Sequence, residues 1–149
     1  MFRSLKAQKE FLQQHGSLTR DLGTRSKSNN RYQVKLALPL IGYKKVYFYK
    51  KELALYRQQG IAVLKIPVGA KIICGDDKNF KLRASIAKVL DVWALSGDKI
   101  TCLAFSSHDN SFKYPVGKIV KPDGGFDERY ITCGSGIHFF LDRREAEVY

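Results

Sequence analysis

The sequence predicts an α+β domain: a small, mainly antiparallel sheet with short helices at the N- and C-terminal ends. Three observations carry that expectation. Several segments between residues 32 and 95 alternate in polarity or are dense in β-branched and aromatic residues, as pleated, half-buried strands are. Short breaks rich in Pro, Gly and Asp separate these segments, the punctuation of hairpins. At each end of the chain the apolar spacing becomes helical.

Ser4–Gln14 (SLKAQKEFLQQ) forms the first expected helix, with Leu5, Lys9 and Leu12 on one face and Gly16 as its stop. Its apolar stripe is thin, so it needs a partner to persist. Residues 16–31 (GSLTRDLGTRSKSNNR) have the composition of a linker, rich in Gly, Ser, Thr and Asn. The expected organisation is therefore a basic N-terminal arm and linker over 1–31 and a single α+β domain over 32–149. YQVKLAL places Tyr32, Val34, Leu36 and Leu38 on one face, and Pro39 ends it. KKVYFYKK (44–51) is β-favouring, with Tyr47 on one side and Val46 and Phe48 on the other. ELALYRQQ (52–59) allows one or two helical turns closed by Gly60. IAVLKI (61–66) and AKIIC (70–74) are strands about the turn Pro67-Val68-Gly69, and GDDKN (75–79) is a polar loop. Residues 80–95 fit two patterns: a helix grouping Leu82, Ile86, Val89, Leu90 and Trp93, or a strand from Ala87. The break Ser96-Gly97-Asp98-Lys99 before ITCLAFSS favours a hairpin, so a strand is expected over roughly 86–95. YPVGKIVKPDGGF (114–126) bends twice, and GIHFFL (136–141) is a short apolar strand. DRREAEVY closes the chain as a helix, with Asp142 as N-cap and Glu145 completing a capping-box-like pattern.

The chain has 149 residues, 26 basic and 14 acidic, for a net charge of +12, and 44% of its residues are apolar. That excludes a wholly disordered chain and one that needs disulfide staples to fold. Residues 1–60 hold 13 basic against 3 acidic residues, while residues 61–149 hold 13 against 11. The basicity thus belongs to the first part of the chain. Cys74, Cys102 and Cys133 are odd in number and widely spaced, which argues for reduced thiols rather than a disulfide framework. No apolar run is long enough to span a bilayer, and the start lacks the apolar stretch of a secretory signal, so a non-secreted protein is expected.

Candidate chemistry is sparse. Cys133 and His138 are five residues apart and could serve as nucleophile and base only with a third, orienting group. The plainer reading is a small buried cysteine and a hydrogen-bonded histidine. The three cysteines with a histidine could gather into a metal site, but the paired spacing of a zinc site is missing. Asp123, Asp127 and Glu128 flank Gly124-Gly125 without the alternation of a calcium loop, so a solvated turn is the better expectation. Neither a dinucleotide fingerprint nor a phosphate loop nor a metalloprotease helix occurs. No metal, cofactor or catalytic residue is therefore assigned. The strongest functional feature is basic: Arg3, Lys6, Lys9, Arg20, Arg25, Lys27 and Arg31 in the arm, then Lys44, Lys45, Lys50 and Lys51 interleaved with Tyr47 and Tyr49. Such residues suit an acidic protein surface or a phosphate backbone.

The second half carries a distinctive string. LRASIAKVLDV is followed by Phe126-Asp127, Cys133, Gly136-Ile137-His138-Phe139-Phe140 and Glu145-Ala146-Glu147-Val148-Tyr149. Over residues ~63–149 it resembles a small domain of unknown function found in proteins of giant DNA viruses and some phages, where it often follows pentapeptide repeats. Residues 1–60 do not look like such repeats. The resemblance implies a viral origin and a fold unit, not a reaction. The first functional expectation is a non-enzymatic structural or adaptor protein of a large DNA virus. It would be a minor capsid or virion-associated component, in the virion or the host cytoplasm, whose basic arm clamps a neighbouring subunit. The alternatives are a nucleic-acid-binding protein using the arm and the Lys44–Lys51 surface, and an enzyme using Cys133 and His138.

Overall fold

The computed structural model describes residues 2–22, 31–49, 56–75, 80–106, 109, 111–131 and 134–149. Among them run, in order, α1 (Leu5–His15), β1 (Gly16–Asp21), β2 (Tyr32–Leu36), β3 (Leu40–Tyr49), β4 (Arg57–Ile66), β5 (Lys71–Cys74), β6 (Leu82–Ala84), β7 (Ala87–Ala94), β8 (Ala104–Ser106), β9 (Lys113–Tyr114), β10 (Ile119–Val120), β11 (Ile137–Phe139) and α2 (Arg143–Val148). The strands make two antiparallel sheets, ordered β1-β2-β5-β6-β11 and β10-β7-β4-β3-β8-β9. This overturns the expected fold class. The molecule is a small β-rich fold of two sheets with one short helix at each end, not an α+β domain built on a single sheet. The physical reason lies in short strands that are buried throughout. β6 (LRA) and β8 (AFS) are buried at every position, so they lack the alternation by which a strand is recognised in sequence.

The centre of the second sheet is the β3–β4 hairpin, in register from Leu40↔Ile66 to Tyr49↔Arg57. Pairing with β3 draws Arg57–Gln59 into β4, so the expected helical turn does not form there; residues 52–55 lie outside the described residues. The 16–31 segment also differs from a plain linker. Gly16 takes extended backbone, ends α1 and opens β1, which pairs with β2 from Gly16↔Leu36 to Asp21↔Tyr32. β7 pairs with β4, and Gly97, at φ +106°, turns the chain after it. The chain then makes a single bridge, Trp93↔Lys99, and β8 pairs instead with β3 on the hairpin's other side.

One apolar core joins the two sheets. Val34, Ile72, Leu82, Ile137 and Phe139 from the first pack in the same cluster as Val46, Phe48, Leu64, Val89 and Val92 from the second, and Leu12 of α1 inserts into it. The sheets meet at a seam where Tyr43 and Phe140 exchange backbone N–H···O bonds of 2.8 Å. Gly42 makes that approach possible: a Cβ there would lie 2.5 Å from the Phe139 ring. The seam brings β3, β8 and β9 beside β11 and the loop before it.

Candidate functional site

The loop ahead of β11 is organised by one buried cation. Arg83, central in β6 and 2% exposed, sits opposite His138 in the β6–β11 pairing. Its guanidinium donates from Nε to Ile131 O (3.0 Å), from Nη1 to Asp127 O (2.7 Å) and Ser135 O (2.8 Å), and from Nη2 to Arg129 O (2.6 Å). The guanidinium's rigid fork of donors suits this convergent set of carbonyls. Phe126 lies 5.4 Å from the same guanidinium. Gly134 and Gly136 let the loop approach: a Cβ would fall 2.9 Å from Arg83 Cζ at the first and 3.0 Å from Arg83 Cβ at the second. The Phe126 and Gly136 positions of the C-terminal string, with Gly134, thus serve to wrap a loop around Arg83.

That loop forms one wall of a cavity of about 230 Å3 at the junction of the sheets. Lys44 of β3 and Ser106 of β8 line one side, Phe112 and Tyr114 another, and Gly134–Gly136 with His138 the third; Asp109 and Asp123 also border it. Lys44 faces inward because β3 alternates: Gly42, Lys44, Val46 and Phe48 are buried, and Lys45 points to the opposite face. Lys44 is 7% exposed, and its ammonium lies 5.8 Å from the centre of the Tyr114 ring. Burial first, and the nearby charge of Lys81 second, push the amine down to about 7. Burial likewise pushes the Tyr114 hydroxyl up, so it stays protonated.

Among the described residues the sequence-predicted basic residues have different surroundings. Lys9 is engaged within the chain, with Nζ 2.6 Å from Asp21 Oδ2 and 5.4 Å from the Tyr32 ring. Arg20 stacks over Tyr130 at 5.4 Å. Arg3 and Lys6 are exposed, Arg31 and Lys45 are half-buried, and Lys44 lies inside the cavity. Arg25, Lys27, Lys50 and Lys51 lie outside the described residues, as does Cys133 of the Cys133–His138 pair. Lys44 and Lys45, taken together as a surface cluster, are thus split between cavity and flank. The acidic loop also disperses. Asp127 holds Arg129 (Oδ2 to Nη2, 2.7 Å), and that hydrogen bonding lowers its carboxyl to about 2. Glu128 accepts from Lys71 (2.9 Å) and Gln33 (3.2 Å), which also holds it below the usual range. Among the described residues no group of three His, Cys, Asp or Glu side chains is placed to hold a metal ion. Sequence reasoning missed Arg83 and the inward turn of Lys44. The second had a signal, since Lys44 shares parity with Val46 and Phe48.

Residues 26–146 match the family of unknown function DUF5758. The chain belongs to this family. The "Uncharacterized protein L223" of Acanthamoeba polyphaga mimivirus is 34% identical over 104 residues, covering 64% of this chain and 65% of its own length. The chain thus spans a little under two thirds of that relative. These similarities support a viral protein of unknown function, of a kind found in giant viruses. No solved structure matches. The family segment contains both the Arg83 loop and the cavity, while α1 and β1 precede it. Among the described residues no helix is long and apolar enough to cross a membrane.

Proposed function

We propose that this protein is a non-enzymatic structural or adaptor component of a large DNA virus, minor capsid or otherwise virion-associated, that docks its basic N-terminal part on an acidic neighbouring subunit. The observation that carries this reading is how the charge is sorted. Residues 61–149 nearly balance, with 13 basic against 11 acidic residues; there Lys71, Lys99, Arg129 and Arg143 are each paired with a carboxylate of the same chain, while Lys65, Lys88, Lys118, Lys121 and Arg144 have no ion pair among the described residues. Residues 1–60 hold 13 basic against 3 acidic residues; Lys9 pairs with Asp21, and Arg3, Lys6, Lys35 and Lys45 have no acidic partner among the described residues. Unneutralised cations on a folded surface steer association with an acidic partner and fix its register. The family-like loop is meanwhile occupied in building the fold around Arg83.

The test neutralises charge and leaves the chain whole, because Leu12 of the N-terminal helix is part of the core. Virions of the encoding virus are purified and the protein is quantified in them, as wild type and as the R3Q/K6Q/K35Q/K45Q variant. The reading expects wild type in stoichiometric amounts and the variant largely lost, with its melting temperature unchanged. A protein absent from purified virions sinks the structural reading. Duplex DNA titrated by fluorescence anisotropy separates the nucleic-acid alternative. Measurable affinity at about 50 mM salt, falling steeply as salt rises, would move the assignment there.

A further inference from the structure

We propose that Lys44 is a nucleophilic amine and that the cavity around it takes a small uncharged aldehyde or ketone, held covalently as an imine. The inference is independent of the virion reading and concerns capture, not turnover.

Three observations carry it. First, Lys44 is more than nine-tenths buried yet forms part of the cavity wall, so its amine is shielded from bulk water and reachable from the cavity. Secondly, among the described residues the amine has no hydrogen-bond or carboxylate partner; it lies over the face of Tyr114 at 5.8 Å. Buried lysines without a counter-ion are costly as cations and are relieved by losing the proton. Thirdly, the charge of a second lysine, Lys81, acts on it. Lys81 is itself 8% exposed and donates to the Tyr149 hydroxyl at 2.5 Å, so its ammonium is fixed in place. A desolvated lysine next to another cation is the arrangement that activates an amine for attack on a carbonyl. The amine lowered to about 7 fits this geometry: about half of it is neutral at pH 7, against about one part in 2,500 for an ordinary lysine.

The cavity's other groups choose the ligand. Phe112, Tyr114 and Pro122 give it apolar walls, and Asp109 and Asp123 place carboxylates at its border. Those carboxylates oppose an anion and leave an uncharged carbonyl as the better occupant. The titratable groups about Lys44 are thus Lys81, Tyr114, His138, Asp109 and Asp123. In the reaction the Lys44 nitrogen pair attacks the carbonyl carbon and the C=O π pair moves to oxygen, which takes a proton. The nitrogen then loses its proton to solvent entering the cavity, whose wall includes His138. The hydroxyl, protonated, departs as water as the C=N bond forms. Nothing is oxidised or reduced, and only water is released.

The experiment uses the full chain with propanal as probe, cyanoborohydride to trap the imine, and peptide mass spectrometry to locate adducts from pH 5 to 10. The expected result is labelling of Lys44 at least about tenfold faster than Lys35 or Lys45 at pH 7, rising with a midpoint near pH 7. K44R keeps the cation without the nucleophile and should lose this adduct alone; K44M serves if K44R misfolds. Lys44 labelled no faster than Lys45 overturns the proposal. So does protection of Lys44 by millimolar inorganic phosphate, which would mark an anion site instead.

Discussion

At the scale of single residues, two buried cations behave differently because their partners differ. Arg83 is held by four loop carbonyls. Replacing it with Met strands those carbonyls in the interior, and the expected loss is roughly 3–5 kcal/mol of unfolding free energy by urea titration. Arg83→Lys should recover only a small part, since an ammonium cannot reproduce the fork. A loss under about 1 kcal/mol for Met would show that the loop holds without the clasp. Lys44 has no such partners and its amine is lowered to about 7 from an ordinary 10.5. The folded state therefore binds fewer protons at this site than the unfolded chain between those two values, so stability rises with pH across that window. The contribution is full above the unfolded value and is lost as pH falls through about 7. Lys44→Met removes the site, so wild type should gain a few kcal/mol more than the variant between pH 6.5 and about 10, measured by chemical denaturation at each pH. Equal gains would refute the burial of a titrating amine. Neither role was equally visible in the sequence. Lys44 shares strand parity with core residues, whereas Arg83 gains its meaning from carbonyls about fifty residues downstream, and local patterns carry no trace of that distance.

At the scale of elements, strands were legible where they are long and one face is wet. β2, the second part of β4, β5 and β7 follow from alternation or β-rich runs, and α1 follows from the Leu5, Lys9 and Leu12 face with a Ser4 cap whose Oγ accepts from Ala7 N at 3.1 Å. The three-residue strand β6 was not legible, because complete burial erases alternation; β8 lies within the ITCLAFSS run of the expected hairpin but pairs with β3 rather than β7, and β1 was hidden in a polar, Gly- and Ser-containing segment. Here pairing outweighs propensity. α1 shows what its neighbours contribute. Its intrinsic stripe is thin, yet Leu12 is fully buried in the shared core, and Gln8, one turn earlier, is buried too. Leu12→Ala should therefore cost about 2–5 kcal/mol, as a core leucine does, while Ser4→Ala should cost about 1 kcal/mol through the cap alone. Thermal melts of the two variants check the ordering. A Leu12→Ala melt indistinguishable from wild type would mean that the helix is not docked.

At the scale of the whole molecule, the family boundary suggests a cut near residue 26, but the packing crosses it. The family segment starts at residue 26, after α1 and β1. β1 nevertheless covers the outer edge of β2 along its length, from Leu36 to Tyr32, and Leu12 reaches the core common to both sheets. Because one core serves two sheets, the chain should unfold in a single transition, with near- and far-ultraviolet signals coincident. Cutting at residue 26 leaves β2 as a bare edge with unpaired N–H and C=O groups beside a core that has lost a leucine. Exposed edges of this kind pair with other chains. The 26–149 fragment is thus expected to melt at lower temperature and to associate as concentration rises in sedimentation velocity, with the intact chain showing neither change. A fragment that stays monomeric and melts like the intact chain would make residues 1–25 a separable arm. Their basic residues would then be free to reach a partner without loosening the domain they leave.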